Sequence, residues 1–265
     1  MKYKFLKNSI LYSLLFAGVL LATSCEKEFA EPTVDATPVS YAAVHNFALL
    51  TGGSSSVFVN DTLFKIANAN ATVAYGGTSF GPYIGLKPGD VRLGLRTATG
   101  TTNYASRTLN LARNTNTSFF AYDTLTTGGT AKLLVLNNDM RTADTGMSNI
   151  RFLHFSPNAG PVNVVLTRTL NQFGLAASGT INLSNVPYIG SSPTPNEVAL
   201  SAFTGIPAGT YSVSVLSGTT PVLTIAALTL RERKNYSIVA RGFAPPRPAI
   251  PTGQTLGASL ILHNP

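Results

Sequence analysis

The chain has 265 residues, of which 44% are apolar and only 11% charged, with 23 Gly, 16 Pro, 32 Thr and no Trp. A single Cys excludes an internal disulfide framework, one Cys and three His argue against a Cys/His zinc module, and the apolar content excludes a charge-rich disordered chain. The length suits one large domain or two of about 100–130 residues, and the composition leans towards a Thr/Gly-rich β protein.

In chain order, the first 24 residues read as a targeting segment. Lys2, Lys4 and Lys7 form a basic start, and Ile10 to Ala22 form an apolar run of 13 residues. That run is too short to span a bilayer, which takes about 20 residues, but it fits the core of a signal peptide. Leu21-Ala22-Thr23-Ser24-Cys25 follows. This resembles the lipobox of bacterial lipoproteins, which implies cleavage before Cys25 and a diacylglycerol on its thiol. An ordinary secretory signal with a chance cysteine is the alternative. Several acyl chains on one residue give a firm anchor, at about 0.8 kcal/mol per buried methylene, so no transmembrane helix is expected. Removing the three leader lysines lowers the formal charge from +8 to +5. Glu26-Lys27-Glu28-Phe29 resembles the surface-export signals of Bacteroidetes lipoproteins, leaving both a surface and a periplasm-facing position on the outer membrane open. Residues 25–38, with Pro32 and Pro38 and no apolar period, read as a lipidated tether.

From residue 39 strands are expected throughout. Val57–Val59, Val91–Leu95, Thr117–Tyr122 and Lys132–Leu136 are short apolar runs between turn residues, and Tyr211–Leu216 alternates with period two. No further stretch has helical period. The two halves also align. Tyr83–Leu95 matches Phe203–Val215, each reading aromatic, x, Gly, aliphatic, two turn residues, Gly, strand. Leu109–Ala121 matches Leu228–Ala240, Leu134–Asn138 matches Leu260–Asn264, and Ala43–Asn46 matches Phe152–Phe155. This alignment pairs His45 with His154, and Asn137 with His263. Two tandem β-sandwich domains are expected, at 39–141 and 147–265, joined by the polar stretch 140–146.

The second half, on Ile150–Val164 with its His154-Phe155-Ser156-Pro157 and on Phe203–Val215, resembles the DUF4397 family over most of 148–242. The first half is a degenerate copy, keeping His45 but replacing the Ser-Pro that follows. The resemblance implies an immunoglobulin-like or transthyretin-like sandwich in secreted and surface proteins, and it supplies no activity.

Candidate sites are few. His45 and His154, at strand ends, are read either as ligand contacts or as structural imidazoles bonded to a loop such as Ser156-Pro157. Tyr188 and Phe243 are the candidate exposed aromatics, on two long loops, 167–196 and 243–255, with a strand Val198–Phe203 after the first. Asp61-Thr62-Leu63 and Asp123-Thr124-Leu125 resemble Bacteroidetes O-glycosylation sites, which implies glycans on Thr62 and Thr124. There is no Gly-x-Ser-x-Gly elbow and no His-Glu-x-x-His. Eleven acidic residues, scattered, give no paired carboxylates. No metal, cofactor or nucleic-acid partner is expected, and the basic turn Arg231-Glu232-Arg233-Lys234 reads as a solvated face, with contact to acidic lipopolysaccharide or polysaccharide as the alternative. The resulting expectation is a non-catalytic, lipid-anchored envelope protein for interaction or adhesion. The alternatives are a glycan-binding accessory lipoprotein of a polysaccharide uptake system and, third, an envelope enzyme.

Overall fold

Alternating and continuous apolar segments give strands almost everywhere in the structure, a computed structural model that describes residues 39–51, 53–77, 83–125, 130–245, 250 and 253–264. The leader, Cys25 and the tether lie outside the described residues. The first half contains β1 (Ser40–Asn46), β2 (Ser55–Val59), β3 (Thr62–Leu63), β4 (Lys65–Ile66), β5 (Ala69–Asn70), β6 (Thr72–Val73), β7 (Ile84–Leu86), β8 (Gly89–Thr97), β9 (Ala105–Leu111), β10 (Asn116–Tyr122) and β11 (Lys132–Asn138). The second contains β12 (Met147–Phe155), β13 (Val162–Asn171), β14 (Thr180–Val186), β15 (Thr204–Pro207), β16 (Gly209–Ser217), β17 (Thr220–Leu230), β18 (Asn235–Arg241) and β19 (Gly257–Leu262). Among the described residues no helix is long and apolar enough to cross a membrane.

The duplication is written in the topology. The first half forms a sheet ordered β11-β10-β1-β7 and an outer sheet ordered β3-β2-β8-β9; the second forms β19-β18-β12-β15 and β14-β13-β16-β17. In each half the first strand pairs in parallel with the penultimate one, β1 with β10 and β12 with β18. The fold is all-β, and its two halves repeat one order of strands. Gly89 and Gly209, which open β8 and β16, both have positive φ, at 114° and 153°. A side chain at Gly209 would put its Cβ 2.2 Å from the Leu170 carbonyl oxygen, so that turn needs glycine for space as well as backbone angle.

Each sandwich has its own core. Val44, Val57, Leu93, Leu95 and Phe119 fill the first, and Ile150, Val164, Leu166, Tyr211, Val213 and Ile238 fill the second. A third cluster joins them: Phe47, Phe120, Tyr122, Leu134 and Leu136 from the first repeat meet Leu153, Phe155, Val239 and Ile261 from the second. The two inner sheets are therefore covered on both faces. That is why Phe119-Phe120-Ala121-Tyr122 and Leu133–Leu136 are continuous apolar runs and not alternating ones. The chain from residue 38 onward forms one compact unit. The polar connection is docked: Ala143 is buried, the carbonyls of Asp139 and Arg141 accept from Asn235 Nδ2 at 3.2 and 3.0 Å, and the Gly146 N–H donates to Glu232.

The strand register corrects two of the expected matches by one residue. Tyr41 pairs with Asn116 and Asn149 with Asn235, so Asn46, not His45, occupies the place of His154. The functions agree: the N–H of Ala48 donates to Asn46 Oδ1, and the N–H of Ser156 donates to His154 Nδ1. Likewise Asn138, not Asn137, corresponds to His263, and each bonds the equivalent serine, Ser118 or Ser237. A slip of one position moves a side chain to the opposite sheet face, so His45 and His154 lie in different environments.

The expected loop 167–196 is mostly ordered. β13 and β14 form a hairpin within it, and a 3-10 turn covers Ile189–Ser191. The expected strand Val198–Phe203 is instead a short helix, α1 (Glu197–Ser201), whose N-terminus is capped by Asn196 accepting from the Ala199 N–H. Its apolar residues are too short a run to show a helical period.

Candidate functional site

Between the inner sheets the duplicated positions have diverged into a buried polar chain. Arg151, 5% exposed, donates from Nε to Ser237 Oγ at 2.6 Å and from Nη1 to the Ser201 carbonyl at 3.3 Å. Its guanidinium lies 4.6 Å over the Phe203 ring. His263 Nε2 is 3.3 Å from Arg151 Nη2 and 2.7 Å from Ser237 Oγ, and its Nδ1 is 2.7 Å from the Tyr83 hydroxyl. A guanidinium only donates, so His263 Nε2 accepts, the imidazole is neutral and Nδ1–H donates to Tyr83. Asn138 Nδ2 donates to both Tyr83 and Ser118, leaving the Tyr83 hydroxyl to donate to Ser118 Oγ at 3.1 Å.

Burial sets the protonation states. It lowers His263 well below its usual range, helped by Arg151 and His45, and lowers Arg151 to about 10. It raises Tyr83 to about 12. His45 stacks on Phe120, ring centroids 4.7 Å apart, and burial, reinforced by Arg151, holds it down to about 3. No carboxylate enters this cluster. Its bonds tie the two inner sheets together, while Asn138 Oδ1 and both ring nitrogens of His45 are buried without a hydrogen-bond partner among the described residues.

His154 occupies the other face. Its Nε2 is 2.8 Å from the Gly160 carbonyl, its Nδ1 takes the Ser156 N–H, and its ring meets Tyr188 edge-on at 6.1 Å. Burial lowers its pKa, while the Gly160 bond raises it. Phe243 is corrected outright: expected exposed, it is 1% exposed, because the backbone after β18 is tied to residues 254–256, the Phe243 N–H donating to the Gln254 carbonyl and the Leu256 N–H to the Phe243 carbonyl. Tyr188 is half-buried, and burial, reinforced by the charge of Asp123 beside it, raises its hydroxyl. Thr62 is exposed on β3 beside Asp61, which ion-pairs with Arg92 at 2.9 Å. Thr124 is half-buried in a bridge to Leu49. Among the described residues no group of three or more His, Cys, Asp or Glu stands together.

The insertion that carries Tyr188 and α1 reaches the first repeat. Glu197 pairs with Arg107 and accepts the Val135 N–H at 2.9 Å. Lys132 bridges Asp123 at 3.0 Å and the Gly190 carbonyl at 3.1 Å. An open cleft of about 450 Å³ lies along its inner side, walled by Ile150, Phe152, Ile181, Leu183, Leu200 and Ile206.

The hairpin tip between β13 and β14 is tied down by Asn171, whose Oδ1 accepts from the N–H groups of Phe173 and Leu175. Yet Phe173 is 77% and Leu175 65% exposed, and Val198 on α1 is 84% exposed. The sequence reading missed Arg151, Tyr83, Phe173 and Leu175. The signal available was a lone Arg inside an apolar strand and two large apolar residues flanking a turn glycine.

Residues 44–165 match the family model described as Domain of unknown function (DUF4397). The match takes in the first repeat and the opening strands of the second, whereas the sequence motifs had set the resemblance on 148–242. No curated protein matches the chain. Among solved structures, the Bacillus anthracis TIE protein aligns with 12% identity and TM-score 0.20, covering 78% of this chain and 34% of that one, so the chain spans about a third of it. A structure described as a candidate cell adhesion protein from Bacteroides ovatus aligns with 10% identity and TM-score 0.23, covering 85% and 98%. Another so described, from Bacteroides uniformis, aligns with 8% identity and TM-score 0.21, covering 87% and 98%. TM-scores this low establish no common fold.

Proposed function

We propose that this chain, with its DUF4397 segment, is a non-catalytic, lipid-anchored binding protein of the cell envelope. Cys25 carries the lipid, residues 26–38 form the tether, and the two repeats form a rigid head. The observation that carries the reading is the contrast between its interior and its surface. Its three histidines and Arg151 are sunk in packing, while a hydrogen-bonded hairpin holds Phe173 and Leu175 out in solvent. Exposed apolar groups on a rigid scaffold are what a contact surface offers. A second reading, capture of polysaccharide for uptake, draws on the uncharged outer sheet of the second repeat. Glycans on Thr62 and Thr124 belong to the same proposal, Thr62 being the more accessible; an intact mass from the native host equal to peptide plus lipid alone overturns that part.

The anchor is tested by Cys25→Ala. The wild-type chain is expected in the membrane fraction and the detergent phase of a Triton X-114 partition. The variant is expected in the aqueous phase or stalled with its leader attached. Unchanged membrane retention of the variant refutes the anchor.

A further inference from the structure

The two repeats act as controls for each other at their outer sheets. On the first, the outward positions of β8 carry Asp90, Arg92 and Arg96. Arg92 pairs with Asp61 across the turn, Arg96 lies 3.7 Å over the Phe58 ring, and Asn110 donates to Asp90. This is an ordinary charged, self-paired surface. On the second, the equivalent positions of β16 are Thr210, Ser212 and Leu216, and Val165 stands in the place of Phe58. Among β13, β14, β16 and β17 the one charged residue is Arg168, and its guanidinium is turned in to the Ala208 carbonyl. The fold does not demand this loss of charge, since the same sheet in the first repeat is built with it.

The register aligns what remains into rows. Thr180, Thr167 and Ser212 lie side by side on β14, β13 and β16. Asn182, Val165, Ser214 and Thr224 form the next row, extending to β17. Neighbouring strands lie ~4.8 Å apart and same-face residues ~6.8 Å apart along a strand. The face is therefore a grid of short hydroxyl and amide groups set around Val165. The side chains of Thr167, Thr180, Asn182, Ser212, Ser214 and Thr224 make no hydrogen bond within the protein among the described residues. Phe173 stands at the end of the same sheet.

We infer that this uncharged face of the second repeat, centred on Ser212 and Ser214, is a binding surface for a neutral polysaccharide. Its chemistry argues against the other polymers. A nucleic acid or an acidic glycan needs cations facing it, and the face has none. A protein partner is anchored by buried aromatic or Arg residues at the centre of the contact, and the centre here is Ser, Thr and Asn. A polymer that is uncharged and rich in hydroxyls matches unpaired hydroxyls and amides over several sugar units, with Phe173 as a ring for a sugar face. This inference rests on the reading of the chain as a binding protein.

The test is native gel electrophoresis of the detergent-solubilised full chain through gels containing galactomannan, laminarin or soluble starch, or the anionic polygalacturonate. At least one neutral polymer is expected to retard the wild-type chain. The double variant Thr210→Asp with Ser212→Arg installs what the first repeat carries at those places, and it should weaken retardation at least tenfold. Thr224→Arg, on the exposed edge strand, is the second variant should the first fail to fold by circular dichroism. Arg92→Ser on the first repeat should change nothing. No retardation by any neutral polymer, equal retardation of a folded variant, or retardation by polygalacturonate alone overturns the assignment and leaves the binding-protein reading standing. New reducing ends in the gel would instead overturn the non-catalytic reading.

Discussion

Replacing Phe155 with Ala removes the ring at the centre of the cluster shared by the two repeats. Phe155 is fully buried and touches three aromatic rings of the first repeat: Phe47, Phe120 and Tyr122, at centroid distances of 5.5, 5.8 and 5.3 Å. Phe→Ala in a packed core costs about 3–5 kcal/mol, and aromatic pairs add roughly 0.5–1.5 kcal/mol each beyond area burial. The rings belong to both repeats, so the loss should fall on both at once. Urea unfolding followed by tyrosine fluorescence (10 Tyr, no Trp) and by far-ultraviolet circular dichroism should show one transition by both probes. At a slope of roughly 2–3 kcal/mol per molar, the 3–5 kcal/mol alone should lower its midpoint by about 1–2.5 M, with the aromatic pairs adding to the drop. Val213→Ala, inside the second sandwich alone, is the comparison. A loss below about 1 kcal/mol for Phe155→Ala, or two separable transitions of which one stays in place, would refute the shared core and return the repeats to independent domains.

Acid should destabilise the fold through its histidines. His45 is held near 3 against an unfolded value of 6.5, so below pH 6.5 the unfolded chain binds a proton that the folded chain refuses. Stability is full above pH 6.5 and falls as pH drops towards 3, by up to about 5 kcal/mol from His45, with His154 and His263 acting in the same direction. Urea midpoints that do not move between pH 7.5 and 5, or a His45→Phe variant with an unchanged slope, refute this. Glu197→Ala removes the partner of Arg107 and the acceptor of the Val135 N–H; because the pair is half-exposed, about 1–2 kcal/mol is expected, with faster hydrogen exchange at Val135 as the readout. Gly209→Ala should cost more than about 3 kcal/mol, since its Cβ collides with the Leu170 carbonyl, whereas Gly89→Ala, with open space around it, should cost about 1–2 kcal/mol from its φ alone; equal melting temperatures for the two would contradict the steric account.

The duplication was legible because turns are chemically restrictive. Gly89 and Gly209 sit at positive φ, and the alternation of Tyr211, Val213 and Val215 can be met only by a strand with one buried face. Register was not legible. Val44-His45-Asn46 aligns as well with Leu153-His154-Phe155 as with the true Phe152-Leu153-His154, because a match of residue types carries no information about which carbonyl each N–H meets. The candidate site fared likewise: His154 and Tyr188 do touch, but Phe243 is buried, and the Arg151–His263–Tyr83 chain is made by bonds between residues 112 and 180 positions apart.

What the sequence by itself determined is local: strands, their turns, a twofold repeat and a low share of charged residues. What only the tertiary structure decided is which of two apolar faces of an inner strand meets its own sandwich and which meets the other repeat. A strand buried on both sides is apolar at every position, so its pattern names no partner. The partner follows from shape and hydrogen-bond satisfaction once all four sheets are in place.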